Sequence, residues 1–192
     1  MTNNEVLVQN HSEEQRILEQ ASKCLGQLRV SVPRSDKASV SRVIDRIGQI
    51  RYGPGGGVYR IVATPSQTQN THFAFEATEP PGGGPPLHIH TREEEFFSVI
   101  EGEITFWIDG KAIRGAAGTT AFVPRGVPHC FKNCSDRPAR VLVVFTPGGI
   151  EGFFDYGEPL PGGTVPSDEV LIERIGALAP AFGLEILGPS PL

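Results

Sequence analysis

Sulfur-containing residues and tryptophan are scarce in this chain of 192 residues, which has three cysteines, one methionine and one tryptophan. The cysteines, Cys24, Cys130 and Cys134, are too few and odd in number for a disulfide framework. We therefore expect a reducing compartment, the cytoplasm. Residues 1–15 lack a basic region followed by an apolar stretch, and from this we expect no secretory signal.

Positive charge is also sparse, with 17 Lys and Arg against 22 Asp and Glu, a net charge of -5, and no block of basic residues. Nucleic acids and anionic membranes attract proteins through Lys and Arg patches, so we predict neither as a partner. No apolar run approaches the length of about 20 residues that a membrane-spanning helix needs. The chain is long enough for one substantial core.

Glycine (23 residues) and proline (17 residues) are abundant and concentrate after residue 53, where they separate short strand-like segments. This pattern is typical of an all-β sandwich or barrel. Helical periodicity is confined to the two ends. We therefore predict a helical N-terminal arm at 1–50, a β-barrel at 51–150, and a C-terminal extension at 151–192 with one helix that packs on the barrel.

The two ends have separate signals. Apolar residues recur at helical spacing in 17–28, and the spacing in 40–47 predicts a second short helix. The functions open to this segment are a lid, a dimerisation arm or a packing appendage. Near the C-terminus, Ser167 begins a predicted helix that Pro180 limits, and residues 183–187 are read as a short added strand. This C-terminal helix either covers a pocket entrance or packs on the outside.

The chemistry concentrates at residues 82–102, where His88 and His90 flank a single isoleucine. Alternate side chains of a β-strand share a face, so both imidazoles point the same way. A turn would bring the next strand alongside, with Glu95 at its start. Two imidazoles and a carboxylate form a metal site if this face points into a cavity.

Three consecutive glutamates, Glu93, Glu94 and Glu95, compete for the role of the carboxylate ligand. Strand alternation places Glu94 on the face opposite Glu95. We expect Glu93 to stay in the solvated turn. The choice therefore favours Glu95.

Four phenylalanines are predicted to face the barrel interior beside these ligands: Phe75, Phe97, Phe106 and Phe131. Such an aromatic set, without Lys or Arg, suits a flat aromatic or hydrophobic substrate and suits a sugar phosphate poorly. The alternative is that these rings are ordinary sandwich core. His72 falls on the face opposite Phe73 and Phe75, so we expect it on the solvent side.

Two motifs resemble those of the cupins. The first, G-x5-H-x-H-x3or4-E-x6-G, is matched by Gly82, His88, His90, Glu95 and Gly102. The second, G-x5-P-x-G-x2-H-x3-N, is matched by Gly118, Pro124, Gly126, His129 and Asn133. The resemblance implies a cupin jelly-roll β-barrel (a double-stranded β-helix) and a divalent metal held by His88, His90, Glu95 and His129. The six-residue spacing to Gly102 also selects Glu95 from its neighbours.

Within the cupins, the chain resembles the one-domain quercetin 2,3-dioxygenase-like proteins of bacteria, including the stretch at 147–154. This implies an O2-dependent dioxygenase acting on a small aromatic or enolisable substrate that chelates the metal, with Glu95 as both ligand and general base. The ligand set suits Fe(II), the metal we expect, with Mn, Ni, Co, Cu or Zn as alternatives to it.

Two other function classes stay open. One is a metal-dependent isomerase, epimerase or cyclase of a biosynthetic pathway, which would use the metal as a Lewis acid without O2. The other is a non-catalytic cupin that binds a small molecule. Because exposed sheet edges usually need covering, we also expect a homodimer that forms through the N-terminal segment or the Trp107 face.

Overall fold

The computed structural model of the protein describes residues 49–192. Cys24 and the predicted N-terminal helices at 17–28 and 40–47 lie outside the described residues. The described part is built mainly of strands, arranged in two antiparallel sheets that face each other. The predicted all-β double-sheet barrel is therefore confirmed.

One sheet has six strands in the order β1-β2-β3-β10-β5-β8. Its strands are β1 (Ile50–Gly53), β2 (Gly57–Ala63), β3 (Phe73–Glu79), β5 (Glu94–Glu101), β8 (Thr120–Val123) and β10 (Ala139–Thr146). The other sheet has five strands in the order β11-β4-β9-β6-β7. Its strands are β4 (Leu87–His90), β6 (Glu103–Ile108), β7 (Lys111–Ala116), β9 (His129–Lys132) and β11 (Leu184–Gly188).

The core fills the space between the two sheets, because alternate residues of the strands turn inward. On β10, Val141, Val143 and Phe145 are almost completely buried, while the residues between them are half-buried. Phe73 and Phe97 add further buried rings. Burying one such side chain stabilises the fold by about 2 kcal/mol, so the inward aromatic rows are a main source of stability.

The hairpin between β6 and β7 turns at Asp109 and Gly110, as the sequence predicts. Both residues have positive φ, 46° and 81°. Two consecutive positive φ values define the type I′ turn, which matches the twist of a two-residue hairpin. Ile108 consequently pairs directly with Lys111.

The proline-glycine loop before β4 is held by hydrogen bonds to the segment that follows β9. The Gly82 amide donates to the Asn133 carbonyl at 2.8 Å, and the Asn133 amide donates to the Gly83 carbonyl at 2.9 Å. Gly84 has φ 148°, and a β-carbon there would lie 2.2 Å from the Phe131 carbonyl oxygen. Only glycine fits this close approach, which sets the path of the chain into His88.

Short helices connect and extend the sheets. They are 3-10 segments at Pro54–Gly56, Glu151–Gly157, Pro161–Gly163 and Ala179–Phe182, and α-helices α1 (Pro65–Thr68) and α2 (Asp168–Leu178). Ser167 caps α2, and its hydroxyl accepts a hydrogen bond from the Val170 amide. The helix ends at Leu178, two residues before Pro180, as predicted. No helix within residues 49–192 has the length and apolar character needed to cross a membrane.

The C-terminal segment adds β11 to the free edge of β4, where Leu184 pairs with His90. The last residues then lie along the outer face of β9. Cys130 Sγ is 3.4 Å from the Ser190 hydroxyl, and the Lys132 ammonium donates to the Leu192 carbonyl at 2.8 Å. Trp107, opposite Cys130 in the sheet register, is half-buried.

Candidate metal centre

Four side chains converge between the two sheets. His88 and His90 come from β4, His129 comes from β9, and Glu95 comes from β5 of the facing sheet. His88 pairs directly with His129 across the β4–β9 ladder. One nitrogen or oxygen atom of each residue lies within 4.8 Å of the corresponding atoms of the others. All four residues are buried, with exposed fractions between 2% and 7%.

The Nε2 atoms of all three imidazoles point toward the centre of this cluster. His88 Nε2 lies 3.1 Å from His90 Nε2, and His129 Nε2 lies 2.7 Å from Glu95 Oε2. His90 Nε2 is 3.4 Å from the same carboxylate oxygen. The cluster thus has one polar centre, formed by three ring nitrogens and one carboxylate.

Two of the outer ring nitrogens are fixed by backbone carbonyls. His88 Nδ1 lies 2.8 Å from the Pro86 carbonyl oxygen, and His129 Nδ1 lies 2.8 Å from that of Val127. A carbonyl only accepts, so each of these Nδ1 atoms carries the hydrogen. In a neutral ring the Nε2 atom then presents a lone pair to the centre, the arrangement that metal-binding histidines use.

Burial and neighbouring charges shift the pKa values of His88 and His129 in opposite directions. Burial lowers the pKa of His88 well below its usual value, and the nearby rings of His129 and His90 lower it further. Burial also disfavours the charged form of His129, but the hydrogen bond and charge of Glu95 outweigh it and raise the pKa of that ring. Glu95 is therefore the group of the cluster that favours a positive charge beside it.

A cation at the centre would satisfy all four groups together. Inward lone pairs about 3 Å apart repel each other in a buried site, and a divalent ion replaces this repulsion with coordination. Imidazole with one carboxylate is a donor set for Fe, Mn, Ni, Co, Cu or Zn, whereas Mg and Ca prefer oxygen ligands alone. The cluster could hold a divalent transition metal ion.

Glu93 does not lie in a solvated turn, so that expectation is wrong. Its exposed fraction is 4%, and its Oε2 atom lies 3.8 Å from His90 Nδ1. The reason is that β5 begins at Glu94, so Glu93 continues the alternation and shares the inward face with Glu95. Glu94 lies on the opposite face and pairs with Arg125 at 3.1 Å.

Comparison with known protein families decides the classification. Residues 75–145 match the cupin domain family. This stretch of the chain is a cupin domain. A structural neighbour, an RmlC-like cupin from Shewanella frigidimarina, is 23% identical with a TM-score of 0.50, and the match covers 60% of this chain and 96% of that one. This neighbour supports the cupin fold.

Two curated relatives share sequence with this cupin. Quercetin 2,3-dioxygenase of Bacillus subtilis is 28% identical over 138 residues, which are 70% of this chain and 41% of the relative. The HTH-type transcriptional regulator PuuR of Escherichia coli is 30% identical over 105 residues, which are 55% of this chain and 56% of the relative. The chain spans about half the length of these curated relatives. The chain is therefore similar in sequence both to an oxygenase and to a transcriptional regulator.

The four predicted phenylalanines of this cupin are all buried. The Phe97 ring centroid is 6.4 Å from that of His129, and Phe106 and Phe131 pack against Phe97 at 5.3 Å and 5.6 Å. Phe75 lies farther into the aromatic core, against Phe145 at 6.0 Å. The rings thus form an aromatic wall of two groups, with Phe97, Phe106 and Phe131 beside His129 and with Phe75 beside Phe145.

Sequence reasoning missed Phe145, whose ring lies 5.3 Å from that of His90. The alternation of Val141, Val143 and Phe145 along β10 marks this ring as inward, and that signal was available in the sequence. His72, by contrast, is half-buried and interacts with the exposed Thr71 hydroxyl at 3.1 Å. It lies outside the cluster of four, as predicted.

Proposed function

We propose that His88, His90, Glu95 and His129 hold one divalent transition metal ion, with Fe(II) as the expected metal. The observation that carries this proposal is the common orientation of the three Nε2 atoms toward one buried centre beside Glu95. Two of the rings are held in this orientation by backbone carbonyls, so the arrangement does not depend on the ion itself. The site is preorganised, which favours tight binding.

We further propose that the protein is a dioxygenase that cleaves or oxidises a small aromatic or enolisable substrate with metal-chelating oxygens. The 28% identity to quercetin 2,3-dioxygenase over 138 residues supports this reaction class. When bound, the metal would supply Lewis acidity for the substrate oxygens and, as Fe(II), a redox partner for O2.

Glu95 is proposed to accept the proton of the substrate hydroxyl group. Its Oε2 atom lies 2.7 Å from His129 Nε2 at the centre of the cluster, so a substrate hydroxyl group bound there would be next to a carboxylate that can accept its proton. Glu95 would thus combine the roles of ligand and general base.

The aromatic wall is proposed to bind the substrate ring. Phe97 and Phe145 lie against two of the imidazoles and are the nearest candidates, while Phe75, Phe106 and Phe131 extend the wall. Flat rings that stack in offset or edge-on geometry contribute about 1 kcal/mol per pair beyond burial. This environment favours an aromatic substrate over a charged one.

The test is reconstitution of anaerobically prepared protein with Fe(II), Mn(II), Ni(II), Co(II), Cu(II) or Zn(II), followed by measurement of O2 uptake with a flavonol. We expect one ion per chain and substrate-dependent O2 uptake with at least one metal. His129→Gln should abolish both, while His72→Gln serves as the matched control and should leave both unchanged. Absence of uptake with every metal would refute the dioxygenase proposal.

A second candidate function is a non-catalytic domain that binds a small molecule. Two observations favour it: the four ligands are almost fully buried, and a transcriptional regulator shares 30% identity over 105 residues. Under this alternative the metal-loaded protein binds the aromatic ligand without forming product. Product formed without O2 would instead indicate the isomerase or cyclase class.

A further inference from the structure

The Nδ1 atom of His90 has different surroundings from the Nδ1 atoms of His88 and His129. His88 Nδ1 and His129 Nδ1 each meet a backbone carbonyl at 2.8 Å. His90 Nδ1 has no hydrogen-bond partner in the described part of the chain, although it is buried. Buried ring nitrogens without partners are rare because each one costs free energy.

A second unpartnered atom faces this nitrogen. Glu93 Oε2 is buried, also lacks a hydrogen-bond partner among residues 49–192, and lies 3.8 Å from His90 Nδ1. This separation exceeds a hydrogen bond by about 1 Å. A small side-chain rotation of either residue would close it and satisfy both atoms at once.

We propose that Glu93 is a positioning residue that accepts a hydrogen bond from His90 Nδ1 and thereby directs His90 Nε2 toward the metal. This inference rests on the proposed metal site. All three imidazoles would then share one arrangement, with Nδ1–H held by an oxygen and the Nε2 lone pair directed inward. A carboxylate in this position differs from the two carbonyls because it also adds negative charge beside the ligand ring.

The chemistry of metal-bound imidazole explains why the contact should tighten when the ion binds. Coordination withdraws electron density from the ring, which makes the Nδ1–H group a better donor. A carboxylate acceptor in turn makes the ring a stronger ligand, and such partners typically change metal affinity 10- to 100-fold. Without the ion, the buried carboxylate of Glu93 lacks this strengthened hydrogen bond, and its burial lowers the stability of the fold.

The test compares wild type with three variants: Glu93→Ala, Glu93→Gln and the matched control Glu94→Gln. Glu94 is adjacent in sequence but lies on the opposite face and pairs with Arg125, so it does not reach His90. The dissociation constant for Co(II) or Zn(II) is measured by competition with a chelator. We expect about 10- to 100-fold weaker binding for Glu93→Ala, an intermediate loss for Glu93→Gln, which keeps an acceptor oxygen but not the charge, and no change for Glu94→Gln.

A spectroscopic measurement separates this role from a purely structural one. In the Co(II)-loaded protein, each coordinated histidine gives a shifted, exchangeable Nδ1–H proton signal. Wild type should show three such signals, and in Glu93→Ala the His90 signal should exchange rapidly with solvent while the other two persist. The metal-free Glu93→Gln protein should resist urea at least as well as wild type.

Each contrary result has a distinct meaning. If wild type binds none of the metals, the proposed function is wrong and this inference falls with it. If wild type binds metal and Glu93→Ala binds it equally tightly, only the positioning role is wrong. The same holds if Glu93→Ala removes binding as completely as Glu95→Gln, because Glu93 would then be a ligand itself. If Glu93→Ala loses metal affinity and the metal-free variant loses an equal amount of unfolding free energy, the positioning role is also wrong.

Discussion

Replacing Glu79 with glutamine should stabilise the protein increasingly as pH rises. Glu79 is the last residue of β3 and has an exposed fraction of 0%. Neither carboxylate oxygen has a hydrogen-bond partner within residues 49–192. Burial raises the pKa of this carboxyl group to about 8, and the nearby Tyr59 hydroxyl offsets only part of that rise. The carboxyl group is therefore neutral in the folded protein at pH 7.

The size of the effect follows from proton linkage. The usual pKa is 4.5 and the folded pKa is about 8. Between these values the folded carboxyl is protonated and the unfolded one is ionised, so unfolding releases a proton and stability falls as pH rises. One pKa unit corresponds to about 1.4 kcal/mol. Glu79 therefore costs about 3 kcal/mol of unfolding free energy at pH 7 and about 5 kcal/mol at pH 9.

The assay is urea unfolding of wild type and Glu79→Gln at pH values from 5 to 9, with a chelator present so that metal binding does not contribute. The amide adds a buried N–H group, which shifts the difference by a constant of about 1 to 3 kcal/mol. The diagnostic quantity is therefore the change with pH of the difference in unfolding free energy between the two proteins. The difference in unfolding free energy should move in favour of Glu79→Gln by about 3 kcal/mol between pH 5 and pH 8.

A difference that does not change with pH would refute this reasoning. Glu76, three residues earlier on the same strand, provides a control of opposite sign. Burial opposes its ionisation, but hydrogen bonds from Arg140 and Arg60 outweigh burial and lower its pKa. The stability that ionised Glu76 contributes is present above its pKa in the unfolded state and is lost as pH falls. Glu76→Gln should therefore destabilise the protein at neutral pH and have little effect in acid.

Three further predictions concern the site and the loop that positions it. Glu95→Gln should reduce metal content and O2 uptake together, as measured by elemental analysis and an oxygen electrode, and unchanged values would show that another carboxylate is the ligand. Asn133→Ala should lower the unfolding free energy by about 3 kcal/mol, since this buried side chain donates to the Glu79 and Arg137 carbonyls, and urea unfolding measures the loss. Gly84→Ala should cost about 3 kcal/mol or more through its contact with the Phe131 carbonyl, whereas Gly82→Ala, which has open space at φ 83°, should cost only about 1 kcal/mol.

The inward direction of the candidate ligands could be predicted because it depends on local geometry. His88 and His90 share a face in any β-strand, and Phe75 follows Phe73 inward for the same reason. The type I′ turn at Asp109-Gly110 depends only on two adjacent residues. The spacing of the two cupin motifs added His129, which lies 39 residues beyond His90 and could not be placed by local reasoning.

The surroundings of these residues could not be predicted because they depend on register between distant strands. Phe145 reaches His90 because β10 lies between β3 and β5, and Phe145 pairs with Glu95. The position of Glu93 depended on where β5 begins, and a start one residue earlier than expected was enough to turn this side chain inward. A strand that begins earlier extends its alternation to the residues before it, so Glu93 shares the face of Glu95.

Two glutamates of the same barrel show how register decides the chemistry of a residue. Glu95 pairs with Phe145 and Glu79 pairs with Ala139, so they lie at opposite ends of β10, roughly 20 Å apart along the strand. Glu95 meets two imidazoles, whereas the oxygens of Glu79 lie against Gly57 and Gly83 and near the Tyr59 hydroxyl. Removal of the carboxylate should therefore have opposite consequences. At Glu95 it should lose metal and activity, and at Glu79 it should gain stability, because only one end of the barrel supplies a partner for the negative charge.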